Sequence, residues 1–186
     1  MIGMGIDAST SAIGWSIWND DKLLDYGKIM PTERGLEWRD RIINHLPQLQ
    51  DVINEHKPQI AYVEDVPLMP KGGKKTLVQL GAVQGSLLGL FVANNIQFNI
   101  ITVGQWRKNI GLHNGTEEGK NRDNLKIASI DKANEVFGLN LQKVFTKNGT
   151  FKDTISDDDI ADSIWIYASN FDKYKVKRKT FGKGDK

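Results

Sequence analysis

Residues 2–29, IGMGIDASTSAIGWSIWNDDKLLDYGKI, contain three short runs rich in apolar and β-branched residues, separated by small or polar connections. The runs are Ile2–Asp7, Ile13–Trp18 and Leu23–Ile29. Runs of this length joined by tight connections are typical of neighbouring antiparallel strands. The opening therefore predicts a three-stranded antiparallel meander, on which the rest of the chain has to pack.

Helical and extended patterns alternate after the meander. Apolar residues recur at three- and four-residue steps from Trp38 to Ile53, which predicts a helix, and Pro47 inside it leads us to expect a kink or a break near Leu46. The later predicted elements are, in order, a strand at 60–64, a loop at 65–75, a long apolar helix at 76–95, a strand at 98–103, a short helical turn at 105–110, a polar loop at 111–121, a helix at 121–137 closed by Gly138, and a last helix at 156–171. Residues 140–155 fit no single pattern.

This order of elements predicts an α/β fold. Parallel strands need a crossover, and helices supply both crossovers here, so the strands at 60–64 and 98–103 should join the first strand in parallel. The result is a mixed five-stranded sheet, with three antiparallel strands plus two parallel ones and helices on both faces. We assign residues 1–171 to this domain and 172–186 to a basic, flexible tail.

The composition of the 186 residues excludes several kinds of chemistry. There is no cysteine, which removes disulfides, thiolate zinc sites and cysteine nucleophiles, and three scattered histidines do not suggest a histidine-rich metal site. The absence of cysteine fits a reducing cytosol, so we expect a cytoplasmic protein. The most apolar stretch, 87–93, is short beside the roughly 20 residues that span a bilayer, so no membrane association is expected.

The charge is distributed unevenly. Residues 172–186 carry a net charge of +5, whereas the whole chain carries only +2, so the body of the protein is slightly acidic. A basic tail suits a polyanionic partner, and it equally suits a solvated terminus.

Acidic residues close two of the predicted strands. Asp7 ends the first strand and Glu64 ends the strand at 60–64. If these strands are parallel, both carboxylates lie at the edge of the sheet where α/β proteins place ligands. The alternatives are a turn-forming Asp7 and a surface Glu64 that pairs with Lys71 or Lys74.

A third acidic segment, SDDDIAD at 156–162, opens the last predicted helix. Ser156 suits the N-cap and Asp159 the capping box, but Asp162 lies in the second turn, where capping does not explain it. Asp159 and Asp162 are spaced i, i+3 and share one helix face. A helix laid against the sheet would project both toward Asp7 and Glu64.

Four carboxylates from three separate elements would repel one another unless a cation were present. Oxygen ligands without histidine or cysteine suit a hard cation such as Mg²⁺ or Mn²⁺. Two such ions about 3.5–4 Å apart make a centre that cleaves phosphodiesters.

Three segments resemble the motif blocks of the RuvC-type Holliday junction resolvases, which belong to the RNase H-like nuclease superfamily. They are GIDASTSAIGWSI at 5–17, YVEDV at 62–66 and DDDIADSIWIYA at 157–168, and the resemblance extends to about residue 170. It implies a metal-dependent endodeoxyribonuclease that resolves Holliday junctions and related branched DNA by symmetric paired nicks. The size, the lack of cysteine and the lysine-rich sequence suit a bacteriophage version.

The resemblance also implies roles for individual residues. Asp7, Glu64, Asp159 and Asp162 match the catalytic, metal-binding acids, with Asp158 as the alternative to Asp159; two Mg²⁺ ions, or Mn²⁺ in their place, would be held with Asp7 between them. Lys120 in GTEEGK matches a catalytic, DNA-binding residue that the family directs at the scissile phosphate, and Arg107 or Lys108 in QWRKNIG matches another basic residue of this kind. The family's aromatic residue soon after the second acid has no counterpart in VPLM at 66–69.

Two features point to partners. Lys71, Lys74 and Lys75 follow Glu64 in a loop and are placed to grip a DNA backbone, although an ordinary solvated loop would look the same. The helix at 76–95 carries glycines at 81, 85 and 89, a smooth strip that either packs on the protein's own sheet or, as the resemblance implies, forms a homodimer interface.

Three other interpretations remain open. The chain could be another RNase H-like nuclease that acts on RNA or on general branched DNA, or a non-catalytic junction-binding protein. GIDAST also resembles the first phosphate loop of sugar kinases and actin-like ATPases, but those enzymes need two such domains and 186 residues are too few. The GxxxxGK[ST] phosphate-binding motif is absent as well.

Overall fold

The computed structural model describes residues 1–68, 73–112 and 121–176. Its centre is a five-stranded sheet made of β1 Ile2–Ala8, β2 Ile13–Asn19, β3 Lys22–Ile29, β4 Ile60–Glu64 and β5 Gln97–Ile101. The strand order is β3-β2-β1-β4-β5, with β1 to β3 antiparallel and with β4 and β5 parallel to β1. The predicted mixed sheet is confirmed, and each strand begins and ends within two residues of its predicted position.

Helices cover both faces of the sheet, as predicted. They are α1 Trp38–His56, α2 Gly73–Ala93, α3 Val103–Asn109, α4 Arg122–Phe137 and α5 Asp158–Ala168. Because side chains alternate along a strand, Met4 and Ile6 of β1 point into one core with α1 and α2. Gly3, Gly5 and Asp7 therefore face the other side, where α5 packs.

The predicted break at Pro47 is wrong, because α1 continues through it as one helix. Pro47 is exposed, and so is Ile43, whose carbonyl loses its helical partner to the proline. Water can reach that carbonyl on the outer face. One turn on, the Gln48 side-chain amide donates to the Asn44 carbonyl at 3.0 Å.

Helix α2 differs from its prediction in two ways. It begins at Gly73, so Lys74 and Lys75 lie in its first turn rather than in a loop. It is also long and apolar enough to cross a membrane by length and composition alone, which the short stretch at 87–93 did not indicate. Only Val83, Leu87 and Phe91 are buried, and no described atom lies within 4 Å of a Cβ built at Gly81, Gly85 or Gly89.

The segment without a clear pattern forms a hairpin, residues 142–157. Its two sides are joined by backbone hydrogen bonds from Asp157 to Gln142 (3.0 Å) and from Lys152 to Val144 (2.8 Å). Phe145 and Phe151 face each other across it, with ring centroids 5.7 Å apart. The turn at 146–150 closes the hairpin.

Residues 172–176 are bonded to the domain. The Tyr174 hydroxyl donates to the Asp21 carbonyl (2.9 Å), and the Val176 amide donates to the Asn109 carbonyl (2.8 Å). The rest of the predicted tail, 177–186, lies outside the described residues.

Candidate active site

One row of residues crosses the sheet at its carboxyl edge and contains two of the predicted acids. Asp7 pairs with Gly14 of β2, and Gly14 pairs with Lys28 of β3. On the other side, Ile6 of β1 is in register with Val63 of β4, so Asp7 and Glu64 are the next residues of two neighbouring parallel strands. Neighbouring strands lie about 4.8 Å apart, so Asp7 and Glu64 lie side by side at this edge of the sheet.

Helix α5 lies unusually close to this row because glycines leave room for it. A Cβ built at Gly5 would lie 2.1 Å from the Ser163 carbonyl oxygen, and one built at Gly14 would lie 1.9 Å from the Asp159 carbonyl oxygen. The Ser16 hydroxyl also donates to the Ser163 carbonyl at 3.0 Å. The glycines of the first motif therefore set the height at which α5 carries its acids above Asp7.

The two predicted α5 acids both reach the row. Asp159 contacts Lys28 (2.8 Å), and the buried Asp162 contacts Arg107 of α3 (3.4 Å) and accepts a hydrogen bond from the Ser129 hydroxyl of α4. Asp158, the alternative to Asp159, is buried against α4 and pairs with Lys126. The structure thus places Asp159 and Asp162 beside Asp7, and Asp158 behind them.

The start of α5 differs from its prediction. Ser156 does not cap the helix, because its hydroxyl donates to the Lys152 carbonyl (2.7 Å) and accepts from the Val144 amide (2.9 Å) within the hairpin. Asp157 holds the N-cap position without a side-chain capping bond and accepts from the Gln142 amide (2.7 Å) instead. The helix therefore starts two residues later, and Asp159 is free of a capping role.

The carboxylates raise one another's pKa. Burial, followed by the charges of Glu64, Asp159 and Asp162, raises the pKa of Asp7 well above its ordinary value, and Lys126 opposes this only in part. Burial and the charge of Asp162 raise the pKa of Glu64 to about 7, against the lowering effects of Trp106 and Arg107. Burial likewise raises the pKa of Asp162, although Arg107 and Ser129 counteract it. Mutual effects of this kind require that the groups lie close together.

The described residues contain no group of three or more acidic or histidine side chains gathered closely enough to hold an ion as they stand. Asp159 and Asp162 are directed instead at the cationic groups of Lys28 and Arg107. The donor set nevertheless fits a hard divalent cation, because it consists of mutually repelling carboxylate oxygens. A cation there would relieve the repulsion that raises their pKa values.

The predicted DNA-binding residues divide into three groups. Arg107 lies inside the site against Asp162, with its guanidinium 4.9 Å from the centre of the Trp106 ring, rather than on the open surface. The described lysines of the set, Lys74, Lys75 and Lys108, are exposed. Lys71 and Lys120 lie outside the described residues.

Four contacts of the acids were missed at the sequence level. They are made by Lys28, Trp106, Lys126 and Ser129. Lys126 and Ser129 are spaced i, i+3 and so share a face of α4, but that spacing does not tell which face meets α5. Lys28 is found only through the strand register that pairs it with Gly14.

Trp106 donates its indole N–H to Glu64 at 2.8 Å. Replacing Trp106 by phenylalanine removes a bond to the charged form, so the pKa of Glu64 should rise above its present value of about 7. A carboxylate must lose its proton to bind a cation, so the acid limb of the pH–rate profile should move up by about one pH unit. Trp38→Phe, on the opposite face of the sheet, is the matched control. An unchanged limb in Trp106→Phe would contradict this role.

Lys126 is only 8% exposed and is the cation beside Asp158, whose pKa burial raises to about 6. Replacing Lys126 by methionine should cost about 3–5 kcal/mol of stability at pH 8, because a buried carboxylate loses its partner. The loss should shrink at pH 5, where Asp158 takes up a proton. Denaturant unfolding at both pH values measures this, and adding Asp158→Leu should restore most of the stability. A pH-independent loss would show that packing, not charge, is responsible.

No protein-family signature matches the chain, and no curated protein matches its sequence. Solved structures do match. Thermus thermophilus RuvC in complex with Holliday junction substrate superimposes with a TM-score of 0.64 at 13% identity, over 91% of this chain and 92% of that one. Thermus thermophilus RuvC alone gives 0.61 at 14% identity with the same coverage, and the Fowlpox virus resolvase with substrate Holliday junction DNA gives 0.52 at 16% identity, over 91% and 97%.

The sheet order and these superpositions define the class: the chain has the RNase H-like fold. Two RuvC structures and a viral resolvase superimpose on that fold, so the resemblance drawn from the three motifs is confirmed at the level of the fold.

Proposed function

We propose that this chain is a metal-dependent, structure-selective endodeoxyribonuclease that cleaves Holliday junctions and related branched DNA by symmetric paired nicks. The observation that carries the proposal is the meeting of Asp7, Glu64, Asp159 and Asp162 at one edge of a resolvase-like sheet. Acids that are wholly or partly buried and raise one another's pKa are costly in a structural role and useful in a catalytic one.

The four acids would hold Mg²⁺, with Mn²⁺ as a possible replacement. When bound, such ions activate water for attack on a phosphodiester and stabilise the leaving oxygen. Hydrolysis would leave a 5′-phosphate and a 3′-hydroxyl.

The chain's own groups prepare this site. The Trp106 N–H orients the carboxylate of Glu64, and the Ser129 hydroxyl orients that of Asp162. Lys28 supplies positive charge beside Asp159, and Arg107 supplies it beside Asp162. These contacts fix the acids on rigid elements before DNA arrives, which lowers the cost of organising the site during the reaction.

We further propose a homodimer through α2, because a four-way junction has two equivalent strands to cut. Val78 and Val92 of this helix are 63% and 66% exposed, and the glycine strip allows a second backbone to approach closely. Sedimentation of the wild type should give a dimer, and Val78→Lys with Val92→Lys should give a monomer that nicks one strand without the paired second cut. A wild-type monomer that still makes paired cuts would exclude this interface.

Incubation with a labelled four-way junction, with and without Mg²⁺, tests the function. Paired symmetric nicks that require the metal and are confined to the junction, compared with a hairpin, a fork and an RNA duplex, are expected. Equal cutting of the RNA duplex or the fork would identify another RNase H-like nuclease. Tight junction binding without any metal-dependent cutting would identify a binding protein.

A further inference from the structure

The hairpin at 142–157 is fixed directly to the acid cluster. The Lys28 ammonium donates to the Ser156 carbonyl at the base of the hairpin (2.9 Å) and pairs with Asp159 (2.8 Å). The same base is closed by the bonds between Gln142 and Asp157. The position of the hairpin relative to the site is therefore set by direct contacts.

Hydrogen bonds and one ring contact also hold the two sides of the hairpin together near its turn. The Thr146 amide donates to the Thr150 carbonyl (2.8 Å), and the Thr150 amide donates to the Thr146 hydroxyl (3.0 Å). Phe151 is buried in the core and stacks edge to face with Phe145. A projection held in this way can present side chains to a ligand with little loss of entropy on binding.

The exposed residues of the hairpin include both apolar and positive side chains. Phe145 and Ile155 are 46% and 54% exposed. Lys147 and Lys152 are exposed, and neither forms an ion pair within the part of the chain that the structure describes.

Asp153 is paired with a lysine outside the segment, whereas Asp157 has a neutral amide as its partner and leaves one negative charge against the two lysines. Asp153 contacts Lys126 at 3.3 Å, and Asp157 accepts from the Gln142 amide at 2.7 Å. The free charge that the hairpin offers to a partner is therefore positive.

We propose that the hairpin is a second DNA-contacting surface, in which Lys147 and Lys152 bind phosphates of the duplex arm that flanks the cut and Phe145 packs on a sugar or base beside them. The proposal rests on the nuclease function proposed above. Val144 donates its amide to the Ser156 hydroxyl, and the turn begins two residue steps beyond Val144, or roughly 7 Å away. Successive phosphates of one strand are about 3.4 Å apart along the duplex. If one phosphate is held at Asp7, phosphates a few nucleotides away on the same arm lie within reach of the hairpin.

The test compares two charge-reversal variants. Lys147→Glu with Lys152→Glu removes the hairpin charge, and Lys22→Glu with Lys57→Glu makes the same change at the opposite end of the sheet. Binding to a four-way junction is measured in EDTA by fluorescence anisotropy over a range of salt concentrations. Cleavage of the same junction is measured in Mg²⁺, and sedimentation reports the oligomeric state.

The hairpin variant is expected to bind at least about tenfold more weakly than the control variant, and the slope of log K against log salt should fall by about 1.8, since each phosphate contact contributes about 0.9. Phe145→Ala should weaken binding without changing that slope. Wild-type affinity and slope in the hairpin variant, with intact cleavage, would overturn this proposal and leave the nuclease function standing. A change in oligomeric state with unchanged DNA affinity would also overturn it. A wild-type protein that neither binds nor cuts the junction would overturn both proposals.

Discussion

Replacing Asp7 by asparagine is expected to reduce junction cleavage by at least about a thousandfold, which corresponds to the loss of roughly 4 kcal/mol of transition-state stabilisation. Asp7 lies in the row between Gly14 and Glu64, and the charges of the other three carboxylates all raise its pKa, so all three lie close to it. An amide there would lose the anionic oxygen that a divalent cation needs.

The same substitution should leave DNA binding intact, because basic side chains that contact phosphates supply most of the affinity. Stability at pH 8 in EDTA should rise, since the variant no longer holds a buried charge against its neighbours. The control is Asp51→Asn, an exposed position in α1, which should alter neither property. Undiminished cleavage by Asp7→Asn would show that Asp7 is not a catalytic residue. A lower stability of this variant would contradict the proposed repulsion among the acids.

Replacing Gly14 by alanine is expected to cost about 3–5 kcal/mol of stability and most of the activity. The added Cβ would lie 1.9 Å from the Asp159 carbonyl oxygen and 2.3 Å from its carbon, and both atoms belong to the backbone of α5. The helix would have to move away from the sheet, and it would take Asp159 and Asp162 with it.

Denaturant unfolding and junction cleavage together measure this effect. Gly104→Ala in α3 is the matched control, because no described atom lies within 4 Å of the Cβ built there. It should be neutral or stabilising by up to about 1 kcal/mol, as expected for glycine to alanine in a helix. A Gly14 variant with normal stability would mean that α5 can rise from the sheet without loss.

The sheet could be predicted because its information is local. The strands were predicted from three apolar runs within 2–29 and from single runs at 60–64 and near 98–103. Their order in the sheet followed because short connections leave few possible topologies. The convergence of Asp7 and Glu64 followed from the same topology.

What could not be predicted depends on packing between distant elements. The continuation of α1 through Pro47 depends on which face of the helix meets solvent, and the late start of α5 depends on Ser156 bonding to Val144 across the hairpin. Which of Asp158 and Asp159 faces the other acids depends on the ion pair between Lys126 of α4 and Asp158. No periodicity in α4 indicates that contact.

The glycines that let α5 pack closely on the sheet lower the free energy of unfolding of the whole chain. A glycine inside a strand costs roughly 0.5–1 kcal/mol relative to alanine, because the unfolded chain is freer at that residue. Gly3, Gly5 and Gly14 would together account for about 2 kcal/mol, a sizeable share of the 5–15 kcal/mol that holds a typical domain together. Folding therefore costs the chain extra conformational entropy in its first two strands. Substitutions meant to raise thermal stability should be placed elsewhere, because at these three glycines higher stability and the close packing of α5 that the site needs exclude each other.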